Sequence, residues 1–211
     1  MSLRINRKVV AVTSILLSLT TLAVPQAQSA HGAVKSDELS ALRVEPERRG
    51  GYKRALFPHW STLSNGCSVR EQVLIQESLI NATVSTKGCR VISGEWFSTY
   101  DNKTFYDPTY IEIDHVVALA EAWDSGARSW TTSKRKAFAN DLTNTVSLRA
   151  VSGVSNQTKS AFDPAEWLPV AEFRCAYVRE WVSVKARWGL SVDVRERDAI
   201  KAVLSKCSTS R

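Results

Sequence analysis

The chain has 211 residues, of which 44% are hydrophobic and 23% charged, and its formal net charge is +7. Seven Trp, six Phe and five Tyr supply large apolar side chains for a packed core, which excludes an intrinsically disordered chain. Roughly 180 residues remain once a leader is set aside, a length typical of one domain.

The first thirty residues have the layout of a secretory signal peptide. Three cations precede an uncharged apolar run over residues 9–24, and small side chains follow up to Ala30. The run contains Ser and Thr and is shorter than the ~20 apolar residues of a membrane-spanning helix. We therefore predict cleavage near Ala30 and a secreted protein that has no membrane partner after cleavage.

Charge is unevenly distributed in the mature chain. Removal of the three leader cations leaves a net charge of +4, whereas residues 128–160 alone carry six cations against one anion. A cationic face of this kind attracts phosphates. An ordinary solvated surface explains the charge equally well when charge is considered by itself.

Four cysteines predict two disulfide bonds. An exported chain lies in an oxidising environment, and the absence of a CxxC spacing argues against a zinc site. Three pairings are possible. We favour Cys67–Cys89 and Cys175–Cys207, because each closes a local supersecondary unit.

The amino-terminal part of the mature chain is polar. Residues 31–51 lack apolar periodicity, which predicts a flexible segment before a single folded domain over residues 52–211. Ser68 followed by Glu71 has the spacing of a capping box, and the apolar residues after it recur at helical intervals. We therefore predict a helix over residues 69–80.

The middle of the chain has a strand-like pattern. A β-hairpin is predicted around residues 101–103, with a second arm that runs into Asp114-His115. The elements predicted after it are a short apolar stretch over 116–123 that ends near Gly126, a basic helix over 131–139, a strand over 145–151, a loop over 152–155, a helix start at Asp163-Pro164, and helices over 170–188 and 193–206. This order predicts an α+β fold.

Histidine is scarce, which limits the kinds of site that the chain can build. The three histidines are His31, His59 and His115, too few for a three-histidine metal centre once the tail residue His31 is set aside. The pattern around His59 is more typical of a packed or surface residue. His115 differs because it follows Asp114 at the end of a predicted strand, with Glu112 two residues earlier.

Polar residues downstream of the Asp-His pair complete a recognisable pattern with it. Asn144 precedes the second predicted strand, and Asn156 with Lys159 follows that strand. This arrangement resembles the HNH endonucleases and their ββα-metal module. The resemblance is closer to the branch found in GmrSD-type restriction enzymes and in small exported bacterial proteins, and it is carried by residues 65–67, Arg70, 113–117, 120–123, 138–141, 163–169 and the cysteine-bearing tail.

The resemblance implies a role for each of these residues. His115 would be the general base, Asp114 and Asn156 would hold one divalent metal ion, and Asn144 would support the loop or orient His115. An imidazole suits a base near neutral pH, and carboxylate and amide oxygens suit Mg²⁺, although Mn²⁺, Ca²⁺ or Zn²⁺ are alternatives. Glu112 is a spare or outer ligand, or more simply a solvent-facing strand residue. The residues expected to contact phosphates are Lys159, Arg149 and Arg70, although an exposed helix residue with a salt-bridge partner explains Arg70 equally well.

Three positions depart from that branch. It usually has Pro where Ala118 stands, Gly where Ser160 stands, and often Asp where Ser68 stands. The departures leave the predicted catalytic atoms in place, although Ser160 affects the loop after Lys159.

These observations predict a secreted, monomeric, metal-dependent endonuclease that hydrolyses nucleic acid, with DNA favoured over RNA. The alternative is a non-catalytic extracellular nucleic-acid-binding protein on the same fold. A disulfide-rich envelope or interaction protein would leave the polar residues around the Asp-His pair unexplained.

Overall fold

A computed structural model describes residues 36–207, so the predicted leader lies outside the described part of the chain. The helices are α1 (Ser36–Ala41), α2 (Val69–Glu77), α3 (Leu119–Asp124), α4 (Thr132–Ala139), α5 (Gly153–Lys159), α6 (Arg174–Trp188) and α7 (Val194–Leu204). The strands are β1 (Thr83–Val84), β2 (Val91–Ser93), β3 (Trp96–Ser98), β4 (Lys103–Phe105), β5 (Ile111–His115) and β6 (Leu148–Ser152). The predicted α+β fold is confirmed.

Strands β5 and β6 form an antiparallel pair that leads directly into α5. The pairing runs from Ile111 opposite Ser152 to His115 opposite Leu148. Ser152 ends the strand and also caps the helix, because its hydroxyl accepts a hydrogen bond from the amide of Ser155. The loop predicted over residues 152–155 is therefore wrong, since Ser152 ends β6 and residues 153–155 begin α5.

The predicted hairpin is present but shorter than expected. Strands β3 and β4 pair around a turn in which Asn102 has a φ of 59°. The second arm ends at Phe105, because Asp107 and Pro108 form a capped 3₁₀ turn, and a proline provides no amide for a strand ladder. The prediction that this arm continues into Asp114-His115 is wrong, since β5 pairs with β6.

The predicted helix start at Asp163-Pro164 is also wrong. The carbonyl of Asp163 accepts hydrogen bonds from the amides of Glu166 and Trp167, which closes a turn. Pro169 interrupts the helical pattern after it, because proline lacks an amide and disfavours helical geometry in the residue before it. Helix α6 begins at Arg174, after a short 3₁₀ turn.

The amino-terminal segment packs on the domain earlier in the chain than the expected boundary at Tyr52. Leu39 and Leu42 are buried in the main core, and α1 lies against α6. Val44 then forms a parallel bridge with Val192. A six-residue helix with one inward leucine, followed by a second leucine just after its end, is too short for an apolar period to stand out from the polar background.

Two apolar clusters position the strands. The larger one surrounds Tyr177 and Trp181 of α6, and the smaller one lies between α2 and the β5–β6 pair, with Leu74 and Ile113 among its members. Cys67 is bonded to Cys89 and Cys175 to Cys207, as predicted. Within residues 36–207, no helix is long and apolar enough to cross a membrane.

Candidate active site

The side chain of Asp114 makes buried polar contacts that join β5 to α5. Its Oδ1 accepts a hydrogen bond from Lys159 Nζ at 3.0 Å, and its Oδ2 accepts one from the hydroxyl of Tyr100 at 2.6 Å. Lys159 is fully buried and donates a second bond to the carbonyl of His115. Burial raises the pKa of Asp114, against the opposing effect of the Lys159 charge. The structure therefore joins Asp114 to Lys159 as a buried ion pair.

Asn156 and Glu112 form a second polar contact between α5 and β5. Its amide NH₂ donates to Glu112 Oε2 at 2.7 Å, and Gln157 donates to Oε1 at 2.8 Å. The carboxylate lies against Gly153, where a Cβ atom would come within 3.3 Å of Oε1. Glu112 thus faces α5, and the reading of it as a solvent-facing strand residue does not describe its contacts.

The donor atoms between β5 and α5 match the chemistry of a hard divalent cation. Glu112 and Asp114 supply carboxylates, and Asn156 supplies an amide oxygen that accepts no hydrogen bond from the described residues. Within the described residues, the Glu112 carboxylate accepts hydrogen bonds only from the two neutral side-chain amides of Asn156 and Gln157. The ammonium of Lys159, by contrast, already compensates the charge of Asp114, so a cation bound at Asp114 would compete with it.

His115 lies on the opposite face of β5 from Asp114, because side chains alternate along a strand. Its Nε2 donates to the carbonyl of Ala139 at 3.0 Å, which leaves Nδ1 as the nitrogen with the lone pair. The rings of Trp60 and Phe138 lie 5.3 and 6.5 Å from the imidazole. Burial lowers the pKa of His115 to about 3, so the ring is neutral at neutral pH.

Asn144 lies in the turn before β6 and, within the described residues, makes no hydrogen bond to the His115 ring. Its side chain accepts from the amide of Val146, and its carbonyl accepts from the amide of Ser147. Asp141 holds the same turn through bonds from Thr143 and Ser147. Of the two expected roles for Asn144, support of this loop agrees with these contacts.

The expected cationic face over residues 128–160 is not one surface. Arg135 is buried and donates to backbone carbonyls, and Arg128 donates to the carbonyls of Arg48 and Gly50. Arg149 forms an ion pair with Glu180 at 2.5 Å and is largely buried. These three arginines therefore bind backbone carbonyls or a carboxylate of the protein itself, although the sequence suggested that they were free to bind phosphates.

The other predicted phosphate contact, Arg70, is half-buried beside β5. It forms an ion pair with Glu71 at 2.7 Å and a long bond to the carbonyl of Ile111 at 3.4 Å. Lys159, Arg149 and Arg70 therefore each have a carboxylate partner in this structure.

Sequence reasoning missed the residues that hold the site from a distance. Tyr100 bonds to Asp114 from the hairpin turn, and the end of α4 provides the Ala139 carbonyl for His115. Trp60 has a φ of 56°, which is rare for a bulky residue. No local motif indicates these contacts, because each one joins different segments of the chain.

A second group of acidic side chains lies away from β5 and α5. Glu47, Asp163 and Asp193 offer oxygens within 4.8 Å of one another. Burial raises the pKa of Asp163, and the charges of Glu166, Asp193 and Glu47 raise it further. This group shares no residue with the Asp114 and His115 contacts.

Comparison with known proteins gives a family match over most of the folded chain. Residues 73–203 match the family model described as the C-terminal domain of GmrSD restriction endonucleases. An uncharacterized secreted protein of Arthroderma benhamiae is 44% identical over 172 residues, which are 80% of this chain and 82% of that protein. No solved structure matches the chain. The matched range includes Asp114, His115 and Asn156.

Proposed function

This chain belongs to the family of the C-terminal domain of GmrSD restriction endonucleases, and on that basis we propose that it is a secreted, metal-dependent endonuclease of the HNH type. It hydrolyses phosphodiester bonds of nucleic acid, with DNA ahead of RNA, and acts as a monomer. The predicted leader, the two disulfide bonds and the secreted relative support export.

The observation that carries the proposal is the β5–β6–α5 unit with an Asp-His pair at the end of its first strand. Asp114 and Glu112 point to α5, whereas His115 points to α4. A phosphodiester bound at the end of β5 would have the cation site of Asp114 on one side of the strand and the base His115 on the other. This division suits a hydrolysis that needs both.

His115 takes the proton from the attacking water. Its Nε2–H is fixed on the carbonyl of Ala139, so Nδ1 is the basic nitrogen. The lowered pKa keeps the imidazole neutral, and therefore able to accept a proton, at neutral pH. The water oxygen forms a bond to phosphorus, one P–O ester bond breaks, and the departing oxygen takes a proton from solvent.

Asp114 and Asn156 hold the divalent ion in this proposal, with Glu112 beside them. When bound, such an ion acts as a Lewis acid on the phosphate oxygens. Tyr100 fixes the position of the Asp114 carboxylate, and the ion would compete there with the ammonium of Lys159. Glu112 fixes the amide of Asn156 so that its oxygen is left as a metal ligand. Asn144 supports the loop that leads into β6.

Digestion of equal amounts of duplex DNA, single-stranded DNA and RNA tests the proposal. We expect cleavage with Mg²⁺, faster on DNA, and none with a chelator, with His115→Ala as the matched inactive variant. The ion pair between Lys159 and Asp114 is the observation that favours the non-catalytic alternative. Binding without cleavage in Mg²⁺, Mn²⁺, Ca²⁺ and Zn²⁺ would establish that alternative.

A further inference from the structure

A second histidine and an arginine lie near His115 on the side away from Asp114. The Nε of Arg54 donates to Nε2 of His59 at 3.2 Å, and Nδ1 of His59 donates to the carbonyl of Phe57 at 2.8 Å. The second bond fixes the His59 tautomer, because a carbonyl only accepts. His59 is therefore a neutral acceptor that orients the guanidinium of Arg54.

The segment that carries these residues is fastened to the end of α4. The side chain of Asn140 donates to the carbonyl of Pro58 and accepts from the amide of Ser61, each at 2.8 Å. Arg135 donates to the carbonyl of Leu56 at 2.9 Å. The neighbouring Ala139 carbonyl holds His115, so one helix end sets the positions of both the arginine segment and the imidazole.

Trp60 connects His59 to His115 through two ring contacts. The rings of His59 and Trp60 lie 5.5 Å apart, and those of Trp60 and His115 lie 5.3 Å apart. Trp60, which makes both ring contacts, has a φ of 56°, a value that is rare for a bulky residue.

Arg54 differs from the three arginine and lysine residues predicted to contact phosphates. It is exposed, and among residues 38–207 it is part of no ion pair. The hydrogen bond from its Nε to His59 uses one of its five N–H donors, so several of them remain available. The guanidinium of Arg54 is thus held in position, exposed to solvent and not paired with an acidic side chain. Such a group is suited to donate two parallel hydrogen bonds to a phosphate.

We propose that Arg54, oriented by His59, forms the phosphate-binding subsite beside His115 and contacts non-bridging oxygens of a nucleic-acid phosphodiester. This inference rests on the proposed function for its substrate class. Arg54 is then the residue that binds the phosphate, and His59 is a positioning residue. The subsite lies on the His115 side of β5, so it presents the phosphodiester to the base.

Binding of a short DNA duplex in chelator, across salt concentrations, tests the subsite separately from cleavage. We expect Arg54→Gln to weaken binding about tenfold and to reduce the salt slope by about one, because one phosphate contact is lost. Arg195→Gln is the matched control, since Arg195 is exposed on α7, which packs against α6. Equal affinities and slopes for these two variants, with unchanged thermal unfolding, would overturn the proposal.

Cleavage kinetics separate the binding residue from the positioning residue. We expect His59→Ala to keep the salt slope but to lower kcat/KM at least severalfold, and His59→Gln, which retains an acceptor for Arg54, to restore part of it. A His59→Ala variant with wild-type kcat/KM would contradict the positioning role. If the parent protein cleaves nothing but Arg54→Gln still loses affinity and slope, the subsite stands and the proposed nuclease function fails.

Discussion

The ammonium of Lys159 donates to Oδ1 of Asp114 inside the protein, with the lysine side chain fully buried and the aspartate side chain 6% exposed. Two groups that the sequence assigns to different tasks, metal binding and phosphate binding, therefore neutralise each other. A buried charge that loses its partner is strongly destabilising, whereas removal of both charges is often close to neutral.

We expect Lys159→Met to lower the free energy of unfolding by about 3–5 kcal/mol, because it leaves the Asp114 charge buried and unpaired. The double variant Asp114→Asn with Lys159→Met should recover most of that loss. Urea unfolding at pH 7 measures both effects. A double variant as unstable as Lys159→Met alone would show that the ion pair is not what stabilises this contact.

Ser160→Gly should stabilise the protein by about 1 kcal/mol. Ser160 ends α5 with a φ of 52° and a ψ of −127°, a conformation that glycine adopts without the clash of a Cβ atom. Ser160→Ala is the matched control, since it removes the hydroxyl but keeps the Cβ atom and should give no gain. Thermal unfolding of the three proteins checks this, and equal stabilities of the Gly and Ala variants would argue against backbone strain.

The stability of the protein should depend on pH through Glu77. This side chain accepts a hydrogen bond from the amide of Ala150, and burial raises its pKa to about 7 from an ordinary value of 4.5. The folded state then binds more protons than the unfolded state between pH 4.5 and 7, so the Glu77 contribution to stability falls as pH rises through that window and is level above it.

Glu77→Gln removes this titration while keeping an oxygen acceptor for Ala150. We expect the variant to gain stability relative to the parent as pH rises from 4.5 to 7, by at most a few kcal/mol. Urea midpoints at a series of pH values measure the difference. Parallel curves for the two proteins would contradict a raised pKa at Glu77.

Local patterns predicted the elements of the site, and long-range contacts decided what its residues do. The Asp-His pair ends a strand and the Asn-x-x-Lys residues lie on the next helix, because strand alternation and helix spacing are properties of short segments. The carbonyl partner of His115 lies 24 residues away, and the acidic partner of Arg149 lies 31 residues away on α6. Nothing in the sequence around either residue encodes such a partner, so the neutralised cations could not be predicted.

The proposed roles of His115 and Asn156 are separable by mutation. His115→Ala should lower the cleavage rate by ~10²–10⁴-fold without changing metal affinity, since the imidazole is not a proposed ligand and faces the other side of β5. Asn156→Ala should weaken metal binding, so that part of its lost activity returns at higher Mg²⁺ concentration.

Asn144→Ala is the matched control for Asn156→Ala, because Asn144 contacts only its own turn in the described structure, and it should leave metal affinity unchanged. Calorimetric titration of Mg²⁺ into each variant, with cleavage rates across Mg²⁺ concentrations, gives both quantities, and thermal unfolding without metal checks the fold. The Asp114 contribution is measured with Asp114→Asn, which keeps the shape of the contact with Tyr100 and Lys159. If His115→Ala cleaves at the parental rate, or if Asn156→Ala binds Mg²⁺ as tightly as Asn144→Ala, the division between a base on one side of β5 and a metal site on the other is wrong.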